Sequence, residues 1–475
     1  MKKIGILSSI ALLLFMTTSQ ANASVTNTQG EAYEQGKYQT EAPAPYGQNY
    51  SLNSPVNSTD TNKINWHFDL RYDETNNRGN KAMHGAPTID KNGIVYMNSV
   101  EGFLYAFNRD GSIKWKTENM NGLDNSGSSL LSEDGTLYNV SKNIYAINTS
   151  DGSIKWKTPT SSTSVFKQAV IDKDGTLFSL NNYTSDAVLY AFNPDGTVKY
   201  KGTSNISKYG YQPVGKKMVM GKNGLIYAFV GTAPSFYILA FNKQGELVWN
   251  HLIKYDGAGY DLDTSGNIII TANVLNSRQV IYKVNGETGQ VMTEPKTIVD
   301  RSSSRIGSPV VDQKTGNIYV NINSSLYKLD PDFNVIWNKQ FGLQQEVVID
   351  KSGNLVFAAQ QGIFKIDPDG NELWTVKAAD LSYSGALGLT TSNASIDEEG
   401  KVYVSYGSAR KDETYLRYDF ISIGDPVMQW DNTCVNYEAM NKKMEDGTMT
   451  ATEQKQEIDH LESQLTKLKE YTPSN

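Results

Sequence analysis

Cysteine is nearly absent from this chain. Cys434 is the only cysteine among 475 residues, so no internal disulfide can form and stability has to come from packing. A lipoprotein anchor, which needs a cysteine at the signal cleavage point, is not expected either. Histidine is also scarce. The chain has four histidines, and none stands in the His-Glu-x-x-His spacing of a zinc site: His67, His84, His251 and His460.

Long apolar runs are missing except at the start of the chain. Lys2 and Lys3 precede an apolar run, 4–16, and residues 21–23 form a small-residue Ala-Asn-Ala cleavage site, the three parts of a secretory signal peptide. The run is too short to span a bilayer comfortably, and no later run is long enough. We therefore expect residues 1–23 to be a signal peptide and the chain to have no transmembrane segment. The mature chain would be secreted, extracellular or cell-wall associated, or periplasmic in a Gram-negative cell.

Basic residues do not dominate the composition. Lys and Arg number 44 against 51 Asp and Glu, for a net charge of −7. Removal of the signal peptide, which contains two lysines and no acid, lowers the net charge to −9. Nucleic acids and anionic membrane surfaces attract basic proteins. The composition therefore argues against nucleic acid as a partner, and solubility accounts for the acidic balance.

The chain repeats itself after an unpatterned start. Residues 24–60 are rich in Ser, Thr, Asn, Gln, Gly and Pro, which predicts a flexible arm. The clearest copy then shows Asp-x-x-Gly-x-Val-Tyr over 90–96, Leu-Tyr-Ala-Phe-Asn over 104–108 and Asp-Gly-Ser-Ile-Lys-Trp over 110–115. These are three short strands separated by turns. Eight turn glycines recur at a spacing of about 44 residues: Gly93, Gly135, Gly175, Gly224, Gly266, Gly316, Gly353 and Gly400.

A period of this length, built from short β segments, is typical of a β-propeller blade. In an Asp-x-x-Gly turn, Asp at the start accepts hydrogen bonds from its own backbone, and glycine at the end tolerates a positive φ. The sequence therefore predicts an all-β fold, an eight-bladed β-propeller over residues 61–430.

A bulky residue closes each copy, as expected for an outer strand wedged between two blades. The closing residues are Trp115, Trp156, Tyr200, Trp249, Met292, Trp337, Trp374 and Trp430. The segment that ends at Trp66 has the same character but precedes the first blade. We predict that the Trp66 strand completes the last blade and fastens the ring. If the last repeat is too degenerate to form a blade, seven blades remain.

These segments resemble the pyrroloquinoline-quinone-like (PQQ-like) β-propeller repeat. The resemblance covers about residues 61–430, and the repeat also occurs in the outer-membrane barrel-assembly scaffold and in quinoprotein dehydrogenases. It implies the fold and, through the scaffold, protein–protein interaction. Quinoprotein dehydrogenases place a vicinal-cysteine disulfide, a tryptophan and acidic calcium ligands around their quinone. A chain with Cys434 alone cannot form that disulfide, so we expect no cofactor.

The pattern changes to helix near the end of the chain. The segments 433–445 and 453–470 predict two helices within a C-terminal extension, 431–475, and Thr450 and Glu453 stand in capping-box spacing. A short apolar stripe runs along the second helix: Ile458, Leu461, Leu465 and Leu468. We expect the two helices to form a hairpin that packs on itself or on the propeller, or that supports oligomerisation.

Motifs for catalysis or metal binding are incomplete. Asp172–Gly175 and Asp367–Gly370 are similar to fragments of a calcium loop but lack the alternating ligands and closing Glu. The run 210–216 fits Gly-x-x-x-x-Gly-Lys, but lysine follows where a phosphate loop needs Ser or Thr. Ser164 and Ser408 begin Ser-x-x-Lys patterns without their companion motifs. We assign no catalytic, cofactor-binding or metal-ligating residue.

Two functions remain open at this point. The first is a secreted, non-catalytic binding or scaffold protein that recognises an extracellular protein or glycan through blade-connecting loops, which are longest in the repeats 175–224, 266–316 and 353–400. The alternative is a secreted hydrolase or lyase in which acidic residues of different blades converge on the propeller channel. Three or more such side chains at one channel mouth would favour the enzyme.

Overall fold

The computed structural model describes most of residues 52–425, together with residues 450 and 455. The gaps are 70–82, 100–101, 119, 121–127, 141–142, 159–165, 182–187, 205–217, 233–234, 275–277, 301–305, 343–344, 382–387, 391–392 and 410–415. Contacts divide the chain into one unit formed by Tyr33–Pro426 and another formed by Met1–Ala32 with Val427–Asn475. All the strands belong to the first unit. They form eight separate sheets in an eight-bladed β-propeller arrangement, which confirms the predicted fold and blade count.

The first strand of the chain, β1 (Ile64–Asp69), belongs to the last blade. Seven blades are four-stranded antiparallel meanders, numbered here in chain order from innermost to outermost strand. Blade 1 contains β2 (Met83–Ile89), β3 (Val95–Ser99), β4 (Leu104–Phe107) and β5 (Ile113–Lys116). Blade 2 contains β6 (Ser128–Leu131), β7 (Thr136–Val140), β8 (Ile144–Asn148) and β9 (Ile154–Lys157). Blade 3 contains β10 (Phe166–Ile171), β11 (Leu177–Asn181), β12 (Val188–Phe192) and β13 (Val198–Lys201).

The second half of the ring continues in the same way. Blade 4 contains β14 (Val219–Met220), β15 (Ile226–Thr232), β16 (Ser235–Phe241) and β17 (Leu247–Ile253). Blade 5 contains β18 (Asp256–Leu262), β19 (Ile268–Val274), β20 (Arg278–Val284) and β21 (Lys296–Asp300). Blade 6 contains β22 (Val310–Val311), β23 (Ile318–Ile322), β24 (Ser325–Leu329) and β25 (Val335–Gln340). Blade 7 contains β26 (Val348–Ile349), β27 (Leu355–Ala359), β28 (Gly362–Ile366) and β29 (Glu372–Lys377), followed by a 3-10 helix, Ala378–Leu381.

Blade 8 joins the two ends of the propeller. It contains β30 (Gly388–Thr390), β31 (Ser395–Ile396), β32 (Val402–Ala409) and β33 (Leu416–Ile423), and β1 pairs antiparallel with β33. Trp66 lies opposite Ser422 in that pairing. The prediction that the Trp66 strand completes the last blade is therefore confirmed. The N-terminal strand thus supplies the outermost strand of the last blade and links the two ends of the ring.

The predicted turns form as the sequence requires. In the first hairpin of blade 1, the Gly93 N–H donates to the Asp90 carbonyl at 2.8 Å, and the Asp90 carboxylate accepts the Asn92 N–H at 2.9 Å. All eight predicted turn glycines have a positive φ, between 72° and 86°. Glycine is needed there because other residues adopt this conformation at a cost of about 1 kcal/mol or more.

The two middle strands of each blade form most of the core. β3, β4, β7, β11, β27 and β28 are buried at every position, because each blade packs between two neighbours and has no solvated face. Eight tyrosines are among the largest fully buried side chains: Tyr96, Tyr105, Tyr138, Tyr227, Tyr260, Tyr319, Tyr403 and Tyr406. Much of the abundant tyrosine therefore serves packing.

A tryptophan on the outer strand ties a blade to its neighbour. The Trp115 indole N–H donates to the Thr149 carbonyl of blade 2 at 2.9 Å. Its ring packs on Gly152, where a Cβ would lie 2.6 Å from the ring, so no larger residue fits without displacing it. Further tryptophans donate in the same way to backbone carbonyls beyond their own sheet: Trp66, Trp156, Trp249, Trp337 and Trp374.

Blades 3 and 5 depart from this pattern. Tyr200 takes the tryptophan position in blade 3, and its ring lies 3.3 Å from the Cβ position of Gly245 in blade 4. In blade 5 the predicted closing residue, Met292, is 51% exposed. The outer strand there is β21, which begins four residues later. Met292 still lies beside β20, because its N–H donates to the Lys283 carbonyl at 2.8 Å, in the register at which Trp249 pairs with Ala240 in blade 4. The prediction is wrong in one respect, since the Met292 side chain is exposed and is not wedged between two blades.

The structure describes only parts of the predicted segments on either side of the propeller. The last part of the predicted arm, residues 52–60, contacts blades 6 to 8, as described below. The signal peptide, the rest of the arm and Trp430 lie outside the described residues. So does the C-terminal hairpin, apart from residues 450 and 455, and the structure gives it no support.

Candidate binding surfaces

The inner strands of the propeller are closely packed. β14, β22, β26 and β31 are buried at every position. On β18 the Asp261 carboxylate, 3% exposed, accepts the Val311 N–H of the next blade at 2.9 Å. This carboxylate joins two blades. It is a structural group and does not open onto a ligand.

The described residues contain no candidate metal site. No three His, Cys, Asp or Glu side chains among them lie close enough together to hold a metal ion. No helix in the part of the chain that is described is both long and apolar enough to cross a membrane.

The segment 52–56 lies against the inner edge of blade 7. The Ser54 N–H donates to the Ile349 carbonyl at 2.6 Å, and the Ile349 N–H donates to the Leu52 carbonyl at 2.7 Å. Asn53 forms a parallel bridge with Ile349 and donates its side-chain N–H to the Val311 carbonyl of blade 6 at 2.8 Å. The segment thus covers the inner edge of β26, which is not open to a ligand.

The next residues continue between blades 7 and 8. The Ser58 hydroxyl donates to the Asp350 carboxylate at 2.8 Å. The Lys365 ammonium, 2% exposed, donates to the Ser58 carbonyl at 2.9 Å and to the Asp60 carboxylate at 2.7 Å. A buried ammonium needs such partners because its desolvation is expensive. Residues 58–60 are therefore part of the propeller.

A cleft of about 200 Å³ lies between blades 2 and 3. Four acidic residues line it, with Tyr138, Ile171 and Pro194 as its apolar wall: Glu133, Asp134, Asp172 and Asp174. Asp172 pairs with Lys243 at 2.6 Å and Asp174 with Lys199 at 3.1 Å. Burial opposes ionisation of Asp134, but hydrogen bonds from Ser132 and Thr136 outweigh it and hold its pKa below the ordinary value. These three carboxylates already have partners within the fold.

The two turns that are similar to calcium-loop fragments are ordinary hairpins. The Gly175 N–H donates to the Asp172 carbonyl, and the Gly370 N–H to the Asp367 carbonyl, both at 2.9 Å. Burial raises the pKa of Asp367, but hydrogen bonds from Asn371 outweigh this and lower it. These aspartates stabilise turns by accepting backbone N–H groups. Neither turn belongs to a metal site among the described residues.

The outer strands of blades 1 to 3 carry a series of lysines. Each strand has lysine on both sides of its closing aromatic residue, in Ile-Lys-Trp-Lys, Ile-Lys-Trp-Lys and Val-Lys-Tyr-Lys, and no acid lies within these strands. We call this set the lysine arc: Lys114, Lys116, Lys155, Lys157, Lys199 and Lys201. It concentrates positive charge on a chain with net charge −7. The signal was visible in the sequence, as lysines flanking each closing residue.

The lysines of the arc differ in their contacts. The Lys155 ammonium donates to the Thr136 hydroxyl at 2.7 Å, and Lys199 to the Thr176 hydroxyl at 2.7 Å. The Lys116 ammonium lies 4.0 Å from the centre of the Phe103 ring, a cation–π contact. Lys114 and Lys157 are exposed. Charged outer strands also discourage pairing with other sheets.

The remaining candidate residues of the sequence do not come together. His251 lies on β17 with its Nε2 atom 3.2 Å from the Tyr282 hydroxyl, and burial lowers its pKa. His67 is exposed on β1. The run 210–216 and Ser164 lie outside the described residues, as do Cys434, His460 and most of the loops of the longest repeats. Nothing is described of the His84 and Ser408 side chains.

The residues present do not fit a quinone cofactor. All six described tryptophans lie on outer strands, with the indole N–H bonded to a backbone carbonyl, so none is placed at the centre of the ring to stack under a quinone. No acidic cluster for calcium occurs among the described residues. The single cysteine also excludes a vicinal disulfide.

The fold and these surfaces define a PQQ-type β-propeller. The family described as outer membrane protein assembly factor BamB matches residues 56–185 and 101–322. Together the two overlapping matches cover more than half of the chain. The chain therefore belongs to the PQQ-like β-propeller repeat family, as its repeats predicted.

One curated relative and two solved structures are similar to this chain. Uncharacterized protein YxaL of Bacillus subtilis (strain 168) is 30% identical over 120 residues, which cover 24% of this chain and 28% of the relative. The match thus spans little more than a quarter of that relative. Quinohemoprotein alcohol dehydrogenase ADHIIG from Pseudomonas putida HK5 is 12% identical, covers 79% of this chain and 78% of its own, and has a TM-score of 0.54. The Dos1 propeller is 9% identical, covers 76% and 95%, and has a TM-score of 0.53. At such identities the likeness shows the fold alone.

Proposed function

We propose that this chain is a secreted, non-catalytic β-propeller that binds an extracellular protein or glycan. The observation that carries the proposal is the lysine arc, a repeated pair of lysines on the outer strands of three neighbouring blades of an acidic protein. Membership of a family that includes a barrel-assembly factor also favours an interaction role. The signal-peptide pattern of residues 1–23 supports export.

The lysine arc favours an acidic partner. Opposite charges attract in solution and steer association, and the attraction weakens as salt screens it. Lys114 and Lys157 are free to contact a partner without breaking a hydrogen bond that the described residues make. An acidic protein surface and an anionic glycan share this chemistry, and the experiment below separates them.

The test is capture from culture medium and from cell-wall extract with the mature chain, residues 24–475, as bait. We expect a specific protein or polymer to be retained and then released by salt. Protease treatment of the extract would abolish retention of a protein but not of a glycan. The Lys114→Gln/Lys157→Gln variant should retain less, and the matched control is Lys351→Gln/Lys377→Gln. The control removes the same charge from exposed lysines of blade 7.

Each result bears on the proposal. Equal retention by the two variants would remove the lysine arc from the binding surface. A specific partner that is captured by the full mature chain but not by one ending at residue 430 would place binding on the C-terminal extension. Failure of every bait to capture a partner would contradict the binding function. The alternative, a hydrolase or lyase, would then be tested by screening extracellular polymers for turnover.

A further inference from the structure

The outer strand of blade 4 lacks the lysines of blades 1 to 3. β17 reads Leu-Val-Trp-Asn-His-Leu-Ile and contains no charged residue. Beside its tryptophan, Val248 stands where blade 2 has Lys155. Val248 is 49% exposed and Leu252 is 37% exposed. Lysine on an outer strand opposes edge-to-edge pairing, so this blade is without that protection.

β17 is also long and firmly held. It spans seven residues, whereas the outer strands of blades 1 to 3 span four. The Trp249 indole N–H donates to the Gly286 carbonyl of blade 5 at 3.1 Å, and β16 pairs with β17 along its inner side. Among the described residues no strand pairs with its outer edge. A rigid strand with a free edge can add a partner strand at little entropic cost.

The sequence of β17 is complementary to itself in the antiparallel direction. Val248, Asn250 and Leu252 are exposed and share one face, because side chains alternate along a strand. An antiparallel pair of these strands centred on Asn250 places each Val248 opposite the Leu252 of the other copy. Apolar pairs at such positions stabilise a sheet. The same pairing of a blade 1, 2 or 3 outer strand would set lysine near lysine.

The neighbouring blade also has exposed apolar side chains. Trp249 packs on Gly289, whose Cβ position lies 2.7 Å from its ring. Val291 and Met292 follow closely in the chain and are 48% and 51% exposed. Large exposed apolar patches on soluble proteins mark interaction sites.

We propose that two copies of this chain associate through antiparallel pairing of β17 about Asn250. The sheet of blade 4 then continues into the same sheet of the partner. The partner is a second copy of this chain because the exposed side chains of β17 complement one another in an antiparallel pair. The strand also carries no charge that would oppose this pairing. This association uses neither the lysine arc nor the C-terminal extension.

The experiment is sedimentation equilibrium of the mature full chain from about 1 to about 100 µM, a range that resolves a micromolar association. We expect a reversible dimer. The Val248→Lys/Leu252→Lys variant places lysine opposite lysine and should raise the dissociation constant about tenfold or more. Lysine at the Val248 position is compatible with a blade, because blade 2 has it. The matched control is Val198→Lys, an exposed residue of β13 in blade 3, and it should dimerise like the wild type.

A second measurement needs no variant. Amide hydrogen exchange of the wild type at low and high concentration should show slower exchange in β17 at high concentration, with β13 unchanged. A wild type that stays monomeric over the whole range would overturn the proposal. So would a dimer whose dissociation constant the double variant leaves unchanged, or one without added protection in β17. The capture experiment with the lysine-arc variant tests a different surface, so its outcome does not depend on these results.

Discussion

The Trp374 indole N–H donates to the carbonyl of Thr59, 2.8 Å away in space and 315 residues away in sequence. Trp337 of blade 6, by comparison, reaches the Pro368 carbonyl in the last turn of blade 7. Blade 8 has no such turn, because its fourth strand comes from the start of the chain. Residues just ahead of β1 take the place of the missing turn, and they complete the contact between blades 7 and 8.

This substitution predicts that residues 52–60 stabilise the ring. A chain that starts at residue 61 should lose about 3 kcal/mol or more of unfolding free energy. The Lys365 ammonium loses its three hydrogen bonds to residues 58–60 and keeps only the Asp350 carboxylate, 3.9 Å away. A chain that starts at residue 50 keeps them and should match the mature protein. Urea unfolding of the three chains measures the difference. Equal unfolding free energies for all three chains would show that residues 52–60 do not stabilise the propeller.

The packing of Trp115 on Gly152 predicts that one added methyl group strongly lowers the unfolding free energy. Gly152→Ala would place a Cβ 2.6 Å from the Trp115 ring and should cost about 2 kcal/mol or more, from overpacking and from the positive φ together. Gly266→Ala is the control, because its φ is +81° and nothing lies within 4 Å of its Cβ position. It should cost only about 1 kcal/mol, the conformational part.

Denaturant unfolding compares these two variants directly. An equal loss of unfolding free energy in both variants would mean that the Trp115 side chain moves aside easily and is not tightly packed against Gly152. Trp115→Ala, which empties the site, should cost about 3–5 kcal/mol.

Tyr200 offers a test of the exception in blade 3. Its hydroxyl is buried without a hydrogen-bond partner among the described residues, and burial raises its pKa to about 12. Tyr200→Phe should leave stability unchanged or raise it by up to about 1 kcal/mol, since an unpaired buried hydroxyl is unfavourable. Tyr96→Phe should instead lose about 1–3 kcal/mol, because the Tyr96 hydroxyl donates to the buried Asp90 carboxylate at 2.8 Å. Thermal unfolding of both variants separates these outcomes.

Asp397 predicts a pH dependence with a defined sign. Burial raises its pKa in the folded state, against hydrogen bonds from the Lys401 N–H and the Tyr403 hydroxyl and the charges of Lys401 and Arg109. The folded state therefore binds this proton at a higher pH than the unfolded state. As the pH falls from the folded pKa toward the unfolded one, the wild type gains stability from this group.

Asp397→Asn cannot take up that proton. The stability of this variant relative to the wild type should therefore decline as the pH falls from about 7 to about 4. Urea unfolding at several pH values measures the trend. A constant difference between the two proteins across this range would contradict a raised pKa.

Much of the fold could be predicted because its signals are local and repeated. Each hairpin turn needs only a few neighbouring residues, and all eight turn glycines adopt the expected φ. The closing tryptophans mark the outer strands, and the surplus Trp66 strand identified the closure of the ring. The lysines beside these residues were equally legible, although their meaning depends on which blades are neighbours.

Tertiary structure decided what local patterns do not contain. Residues 52–60 have the composition of a flexible arm, and only the missing turn of blade 8 and the buried Lys365 give them fixed partners. In blade 5 Met292 lies beside β20 but its side chain is exposed. The repeat thus determined the blades, since each turn and strand is specified by adjacent residues. The ring decided which segment closes it, because Thr59 and Trp374 are far apart in sequence and meet only when the propeller is complete.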